Sequence, residues 1–272
     1  MTRKTLTQIF AFLRKDFLIE TSYKFAFITG LLHALTGILT FFFIDKLFGY
    51  KMTPHLETFQ TGYFSYVFLS MAFFNYAGVG LGSFAGRIRE EQYQGTLEAL
   101  LSTPINIPTF LFSLSIWNFL YATFELIIYV ILGLFLFKID ISNINIPAFL
   151  TVFSLSIITF SAMGILSASF VIMFKKGNPI AWAFSGFEGL LGGVFFPVSV
   201  LPPALIALSK FVPLTYSIKA LELSVYSGYS IYDLKIEILI LALFAIILLP
   251  LSVSLFKHSL EKASKTGQLS TY

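Results

Sequence analysis

Two carboxylic acid side chains, Glu125 and Glu188, stand alone within long runs of apolar residues. An ionisable group in a run long enough to cross a membrane is costly to bury there, so it is a candidate functional residue. Each could be a polar contact along a substrate path, and together they could serve a gradient-driven carrier. Each could equally be a carboxyl group that hydrogen-bonds between two helices, and the sequence leaves these alternatives open.

The residue patterns of nucleotide hydrolysis, metal catalysis and acyl transfer are missing from the sequence. The phosphate-binding pattern GxxxxGK[ST] does not occur, since the stretch from Gly82 to Gly86 is too short and no lysine follows it. There is no HExxH or GxSxG pattern, no cysteine, and the three histidines are scattered. We therefore expect no catalytic residue, no metal and no cofactor bound by this chain.

The composition is that of a polytopic membrane protein. Of the 272 residues, 57% are hydrophobic and only 12% are charged, and the mean hydropathy is +0.84. A soluble domain carries about 25% charged residues, so this chain has too little charge to cover a water-facing surface. A soluble enzyme, a disordered chain and a collagen-like fibre are therefore excluded. The net charge of +4 indicates basic cytoplasmic loops rather than a nucleic-acid partner.

Six apolar windows are long enough to span a bilayer, which takes about 20 mostly apolar residues. Their long runs lack the alternation of membrane β-strands, so we expect an all-α membrane protein with six transmembrane helices within residues 25–256. The windows cover approximately residues 25–44, 58–86, 105–137, 146–174, 179–198 and 236–256.

The basic residues predict the orientation of these spans. With six spans both termini share a side, and twelve of the 18 Lys and Arg residues fall on that side. Because cytoplasmic loops collect Lys and Arg, we expect both termini in the cytoplasm and the chain in the plasma or inner membrane. Residues 257–272 would then be a cytoplasmic tail.

The first 24 residues predict an amphipathic helix that lies in the cytoplasmic interface. Apolar side chains recur there at helical spacing and leave Lys4, Arg14 and Lys15 off their stripe. The stripe consists of Leu6, Ile9, Phe10, Leu13 and Phe17. The alternative is a soluble helix that packs on a partner.

A polar segment, residues 87–104, separates the second window from the third. On a helix its apolar side chains would share one face. These side chains are Tyr93, Leu97, Leu100 and Leu101. That face could pack on the chain's own bundle or dock into a soluble partner that pushes on it, and the sequence leaves both open.

Glycines in the second window are spaced for close helix packing. Gly78, Gly82 and Gly86 are four residues apart, with Gly80 between them. Small residues at this interval let helix backbones approach closely in lipid. We expect most of them to serve packing within the chain, with a homodimer contact as the alternative.

Prolines cluster between residues 197 and 213, in a stretch that is otherwise apolar. Proline stops helices, and broken backbone at membrane depth survives only when it is buried in protein or lines a cavity. We therefore expect short re-entrant helices over residues 197–230, which would form an outer rim or gate before the last span.

The sequence resembles the membrane subunit of ABC type-2 exporters in two motifs. The first is Arg89-Glu90-Glu91-x3-Gly95-Thr96-Leu97-Glu98-x-Leu100-Leu101-x-Thr103-Pro104. The second is Gly193-x-Phe195-Phe196-Pro197-x3-Leu201-Pro202, which Pro213-Leu214-Thr215-Tyr216 closes. The resemblance covers essentially the whole chain. It departs at Leu221-Glu222, where the family often carries Leu-Arg, so a role for that arginine does not transfer.

The resemblance implies a permease that is not itself an enzyme. In such a complex two membrane subunits pair with two separate ATPase subunits, which carry ATP and Mg²⁺. The path would form in a homodimer or between this chain and a similar subunit, and the substrate would be a drug, a lipid, or a lipid-linked glycan or polysaccharide. Two rival interpretations are a gradient-driven secondary transporter that uses Glu125 and Glu188, and a membrane scaffold that transports nothing.

The resemblance also implies two sites. The segment from about 89 to 103 would be a coupling helix that docks on the ATPase, and the N-terminal helix would touch the ATPase as well. The coupling residues would be Arg89, Glu90, Glu91, Tyr93, Gly95, Thr96, Leu97, Glu98, Leu100, Leu101 and Pro104. The outer gate would comprise Phe195, Phe196, Pro197, Leu201, Pro202, Pro213 and Tyr216.

Overall fold

The computed structural model describes residues 3–22, 24–103, 105–174 and 178–265. Within these ranges, the side chains of residues 3–6, 19–22, 24–28, 30–31, 33–34 and 184–185 are not described. Pro104 of the predicted coupling residues, the side chain of Leu6 in the predicted stripe, and residues 266–272 of the predicted tail therefore lie outside the described residues.

Regular structure in the described ranges is all helical, as the sequence predicts. The α-helices are α1 (Arg3–Ser22), α2 (Lys24–Met52), α3 (Tyr63–Tyr93), α4 (Leu97–Leu101), α5 (Ile107–Phe135), α6 (Ile146–Phe174), α7 (Pro179–Ala183), α8 (Gly189–Leu191), α9 (Pro203–Ser209), α10 (Pro213–Tyr226) and α11 (Lys235–Lys265). Short 3₁₀ helices cover Thr53–Phe59 and Val198–Val200, and a π-helical turn, Phe184–Glu188, joins α7 to α8.

Four of these helices, α3, α5, α6 and α11, are long and apolar enough to cross a membrane. The pair α9 and α10 meets the same criteria together and adds a fifth crossing if the pair, bent by 89°, is one broken span. The second, third, fourth and sixth predicted windows coincide with the four long helices. The first window falls within α2, and the total of six spans stays a prediction.

The fifth predicted window, residues 179–198, is not one helix. Helical structure runs from α7 through the π-helical turn to the end of α8 at Leu191, and a turn follows. Gly193 adopts a left-handed backbone with φ of +84°, which a right-handed helix does not accommodate. The helix therefore ends seven residues before Val198.

Two clusters of buried side chains define the two ends of the helix bundle. Ile88 of α3, Ile172 of α6 and Phe256 of α11 share one cluster, and we call this the basic end because Arg87 and Lys257 adjoin it. The other cluster draws on the first halves of the same three helices, and we call this the opposite end. Helices α3, α6 and α11 therefore run in the same direction, and α5, which packs on α3, runs in the opposite direction.

Helix α3 packs closely on α6. A Cβ atom added to Gly164 of α6 would lie 2.4 Å from the carbonyl oxygen of Gly80, so only glycine permits this approach. Gly82 and Gly86 of α3, by contrast, are exposed, and a Cβ atom at either position would meet nothing within 4 Å. Of the glycines predicted to pack, Gly80 therefore does so within the chain, whereas Gly82 and Gly86 leave one face of α3 open.

These two environments predict opposite results for the same substitution. Gly164→Ala should destabilise the protein by about 1–3 kcal/mol, because the added methyl group forces α6 away from α3. Gly82→Ala is the matched control and should be neutral or stabilise by up to about 1 kcal/mol, since alanine favours helix and has free space there. Denaturant unfolding of the purified protein in detergent measures both, and equal effects would contradict the packing described.

Candidate functional site

The polar segment at the basic end is not the single helix predicted over residues 89–103. Helix α3 continues to Tyr93, residues 94–96 form a turn, and α4 begins at Leu97. Gly95 has a φ of +68°, and the backbone N–H of Thr96 donates to the carbonyl oxygen of Glu91 at 2.9 Å, which closes α3. Arg89, Glu90, Glu91 and Tyr93 therefore belong to the end of α3.

Glu91 fixes this turn to the N-terminal helix. Its side chain is only 3% exposed, and its carboxylate accepts hydrogen bonds from the hydroxyl of Thr96 and from the ammonium group of Lys15 in α1. A buried carboxylate with charged and hydroxyl partners holds its neighbours in one arrangement, because losing either partner is costly. The turn, α3 and α1 are thereby joined at one side chain.

A second charged contact joins α1 to α3 one turn earlier. The guanidinium of Arg87 lies 3.1 Å from a carboxylate oxygen of Asp16 in α1 and 3.1 Å from Glu90, and it donates to Asn118 of α5 at 3.4 Å. Burial raises the pKa of Asp16, although Arg87 and Lys15 act against this rise by favouring the charged carboxylate. Arg87 is therefore the side chain on which three helices converge.

Helix α1 packs on α5 through one side and leaves the other open. Phe12 contacts Phe110 edge to face at a centroid distance of 6.5 Å, and Ile9 is buried. Phe10 is 68% exposed, and about half of Phe17 is exposed even though its ring contacts Trp117. The predicted apolar stripe is therefore divided between a packed side and an exposed side.

The apolar face of α4 covers the chain's own bundle. Leu97 is completely buried, and Leu100 and Leu101 are partly buried against the same cluster at the basic end. Tyr93, predicted to share that face, is 67% exposed because it lies on α3 before the turn. Around it lie further exposed residues. We call the exposed group Tyr93, Gln94, Gly95, Thr96, Glu98 and Ala99 the turn surface.

The predicted gate residues lie in a compact proline-rich segment, residues 193–226, at the opposite end. Phe195 stacks on Phe41 of α2 at 5.6 Å, and the hydroxyl of Tyr216 donates to the carbonyl oxygen of Lys210 at 3.0 Å. Pro197, Leu201 and Pro213 are buried, Phe196 and Tyr216 are half-buried, and Pro202 is exposed. The segment is therefore folded onto the bundle.

Three hydrogen bonds tie this segment to the first turns of α3. The hydroxyl of Tyr66 donates to the carbonyl oxygen of Gly193 at 2.6 Å, and that of Tyr226 donates to the carbonyl oxygen of Ser65 at 2.8 Å. The hydroxyl of Ser70 donates to the carboxylate of Glu222, also at 2.8 Å. Sequence reasoning noted Glu222 only as a departure from the family motif. Its polar character within an apolar stretch was the one available signal.

The two predicted path carboxyls lie on different elements and in different environments. Glu125 is exposed on α5, between the exposed side chains of Phe124 and Ile127. Glu188, in the π-helical turn, is 8% exposed, and one of its carboxylate oxygens has no hydrogen-bond partner among the described residues. Within the same described ranges, no group of three His, Asp or Glu side chains could hold a metal ion.

The ion pair between α1 and α3 predicts unequal effects of removing its two partners. Arg87→Ala leaves the buried carboxylate of Asp16 without its nearest cation and should loosen α1 at a cost of about 3 kcal/mol. Asp16→Asn should cost less, because Arg87 keeps Glu90 and Asn118. A water-soluble maleimide can report on α1 through an Ile9→Cys substitution, since the chain has no cysteine of its own.

We expect the fastest labelling in Arg87→Ala, nearly unchanged labelling in Asp16→Asn, and partial recovery in the double variant. Labelling of Arg87→Ala at the rate of the unmodified chain would show that Arg87 does not hold α1 in place.

Comparison with known proteins identifies the family. A family model described as ABC-2 type transporter matches residues 7–226, about four fifths of the chain. The matched region begins in α1 and ends with α10, so it contains both the turn surface and the proline-rich segment. No curated protein matches the sequence. The permease domains of this family are non-catalytic transmembrane components. The chain therefore belongs to the ABC-2 type transporter family and is a multi-pass membrane permease.

Proposed function

We propose that this chain is the permease subunit of an ATP-driven exporter. Two copies, or this chain with a similar subunit, would form the path, and two separate ATPase subunits would bind and hydrolyse ATP with Mg²⁺. The observation that carries the proposal is the turn surface, in a chain that belongs to this family. The surface is exposed, whereas the residues beneath it make buried contacts with α1, α3 and α5.

The construction of the turn surface suits a docking element. A partner that pushes on it meets Tyr93, Glu98 and Ala99, whereas Leu97 beneath them is enclosed by the bundle. A partner that pushes on this surface would therefore move α3 together with α4. Leu97 of α4 is packed in the core, and Glu91 of α3 is hydrogen-bonded to the turn. In this proposal the basic end faces the cytoplasm, in agreement with its Arg and Lys residues.

Helix α3 would carry the motion across the membrane. It has 31 residues, which corresponds to about 46 Å of α-helix. Its last turns bear Arg87 and Glu91, and its first turns bear the hydrogen bonds to the proline-rich segment. A ligand shifts a conformational equilibrium only by its differential affinity for the two states. ATP binding to the partner would supply that difference, and the proline-rich segment would open outward as the gate.

The substrate class we propose is amphipathic: a drug, a lipid, or a lipid-linked glycan or polysaccharide. The support is the apolar, aromatic character of the exposed faces that could line a path or a lateral entry. Phe124 and Ile127 flank the exposed carboxyl of Glu125 on α5, so an apolar surface there carries a polar group. A substrate with both apolar and polar parts would match such a surface.

Docking at the turn surface predicts that a charged, bulky side chain at Ala99 blocks the partner. Ala99→Arg should reduce co-purification of the ATPase subunit at least about tenfold, as a long charged side chain would prevent close contact at an interface centre. The folded permease should persist because Ala99 is exposed. The measurement is the ATPase activity that co-purifies with the tagged permease from the cells that naturally produce it.

Ala207→Arg is the matched control, since Ala207 is also an exposed helical alanine but lies in the proline-rich segment. It should bind the ATPase like the unmodified chain. Leu97→Asp is unsuitable as a docking probe, because it would place a carboxylate in the core. Undiminished binding and ATPase stimulation by Ala99→Arg would overturn the docking assignment, and full transport without any ATPase would overturn the proposed function.

A further inference from the structure

Glu222 is a buried carboxyl group to which the proposed function assigns no role. It lies on α10 within the proline-rich segment, its side chain is completely buried, and its neighbours Leu221 and Leu223 belong to the apolar core. A carboxyl group in such surroundings is costly unless hydrogen bonds compensate it. Glu222 therefore needs hydrogen-bond partners within the bundle.

The compensation is incomplete. One carboxylate oxygen of Glu222 accepts from the hydroxyl of Ser70 at 2.8 Å, and the other has no hydrogen-bond partner in the described part of the chain. Ser70 is itself only 1% exposed. The contact of α10 with α3 thus contains one good hydrogen bond and one unsatisfied oxygen that would gain hydrogen bonds from water.

The two carboxylate oxygens of Glu222 favour opposite arrangements of α10 and α3. The bond from Ser70 favours the arrangement in which α10 packs on α3, and the unsatisfied oxygen favours any arrangement that admits water to it. Two states that lie close in free energy are what a gate needs, because a modest input can then shift their populations.

We propose that Ser70 and Glu222 form a latch between α3 and the proline-rich segment. In the closed state the carboxyl group of Glu222 is buried and accepts the hydrogen bond from Ser70. In the open state α10 separates from α3, and water reaches that carboxyl group. Ser70 and Glu222 are thus positioning residues of the gate. The gate role rests on the proposed function, whereas the latch itself concerns only α3 and α10.

The latch predicts opposite effects for its two members. Ser70→Ala removes the only hydrogen bond that the buried carboxylate receives in the described part of the chain, so the closed state should weaken. Glu222→Met replaces the carboxyl group by an apolar side chain of similar length, so the closed state should strengthen. A contact that served only the general stability of the fold would change the labelling of a buried cysteine at the basic end by the same factor.

Accessibility of a single cysteine measures the opening directly. Val225 is 2% exposed and packs with Phe64 and Phe68 of α3, so Val225→Cys reports on separation of α10 from α3. The purified full chain, which has no other cysteine, is reacted with a water-soluble maleimide in lipid nanodiscs. Labelling should be about tenfold faster with Ser70→Ala, because the buried carboxylate then loses its hydrogen bond in the closed state.

With Glu222→Met, labelling should be slower than in the unmodified background, and the double variant should behave like Glu222→Met alone, because Ser70 then has no carboxyl group to hold. Glu222→Gln keeps an acceptor for Ser70 and should not exceed the background rate. Acceleration by both Ser70→Ala and Glu222→Met, or by neither, would overturn the latch.

Ser259→Cys controls for general loosening, since Ser259 is 1% exposed on α11 at the basic end. Its labelling should not change with either substitution, and an equal acceleration there would also count against the latch. The assay needs no ATPase and no substrate. A failed latch therefore leaves the docking experiment intact, and failed docking leaves the latch intact.

Discussion

Polar groups buried in an apolar bundle are costly unless partners within the protein compensate them, and such compensated groups hold helix α3. At the basic end, Arg87 and Glu91 bind Asp16 and Lys15 of α1. At the opposite end, the hydroxyl groups and a carbonyl group in the first turns of α3 meet the proline-rich segment. Between these ends α3 packs mainly through apolar side chains and, at Gly80 and Gly164, through a direct approach of backbones, with one hydrogen bond at 3.0 Å between Tyr76 and Thr123 of α5. The helix is therefore held at both ends by directional contacts and in the middle by close packing.

The sequence was informative where a single physical signal dominates. Long apolar runs predicted α3, α5, α6 and α11, because crossing a bilayer requires mainly length and hydrophobicity. The same signal predicted too long a helix in the fifth window, because hydropathy carries no information about the left-handed turn at Gly193. The polar segment was recognised from its residues, but its helical face was assigned without knowledge of the turn at Gly95. Amphipathic spacing shows that Leu97 must be covered, and only the fold shows that the bundle itself covers it.

The candidate site illustrates a second limit of sequence reasoning. Glu125 and Glu188 stood out because they interrupt apolar runs, and the structure places them on different elements and at different exposures. Glu222 interrupts a shorter run and drew attention only through the family motif, yet it is the most deeply buried of the three. Its partner, Ser70, is 152 residues away in the chain. Two residues so far apart in the chain meet only because the fold brings α3 and α10 together. No local sequence pattern could therefore have predicted the contact between Ser70 and Glu222.

The π-helical turn between α7 and α8 changes which way the chain's side chains point. In α7 no side chain is buried, and Trp182 is 66% exposed, whereas Gly189 and Leu191 just beyond the turn are buried. A π-turn accommodates one residue more than an α-turn and so rotates everything after it by roughly 100° about the helix axis. Deleting one residue from Phe184–Glu188 would restore the regular period and swing Leu191 away from the core. The number of residues in this short stretch therefore matters as much as their types. An insertion or deletion there would disturb the packing of α8 more than most exchanges of one apolar residue for another.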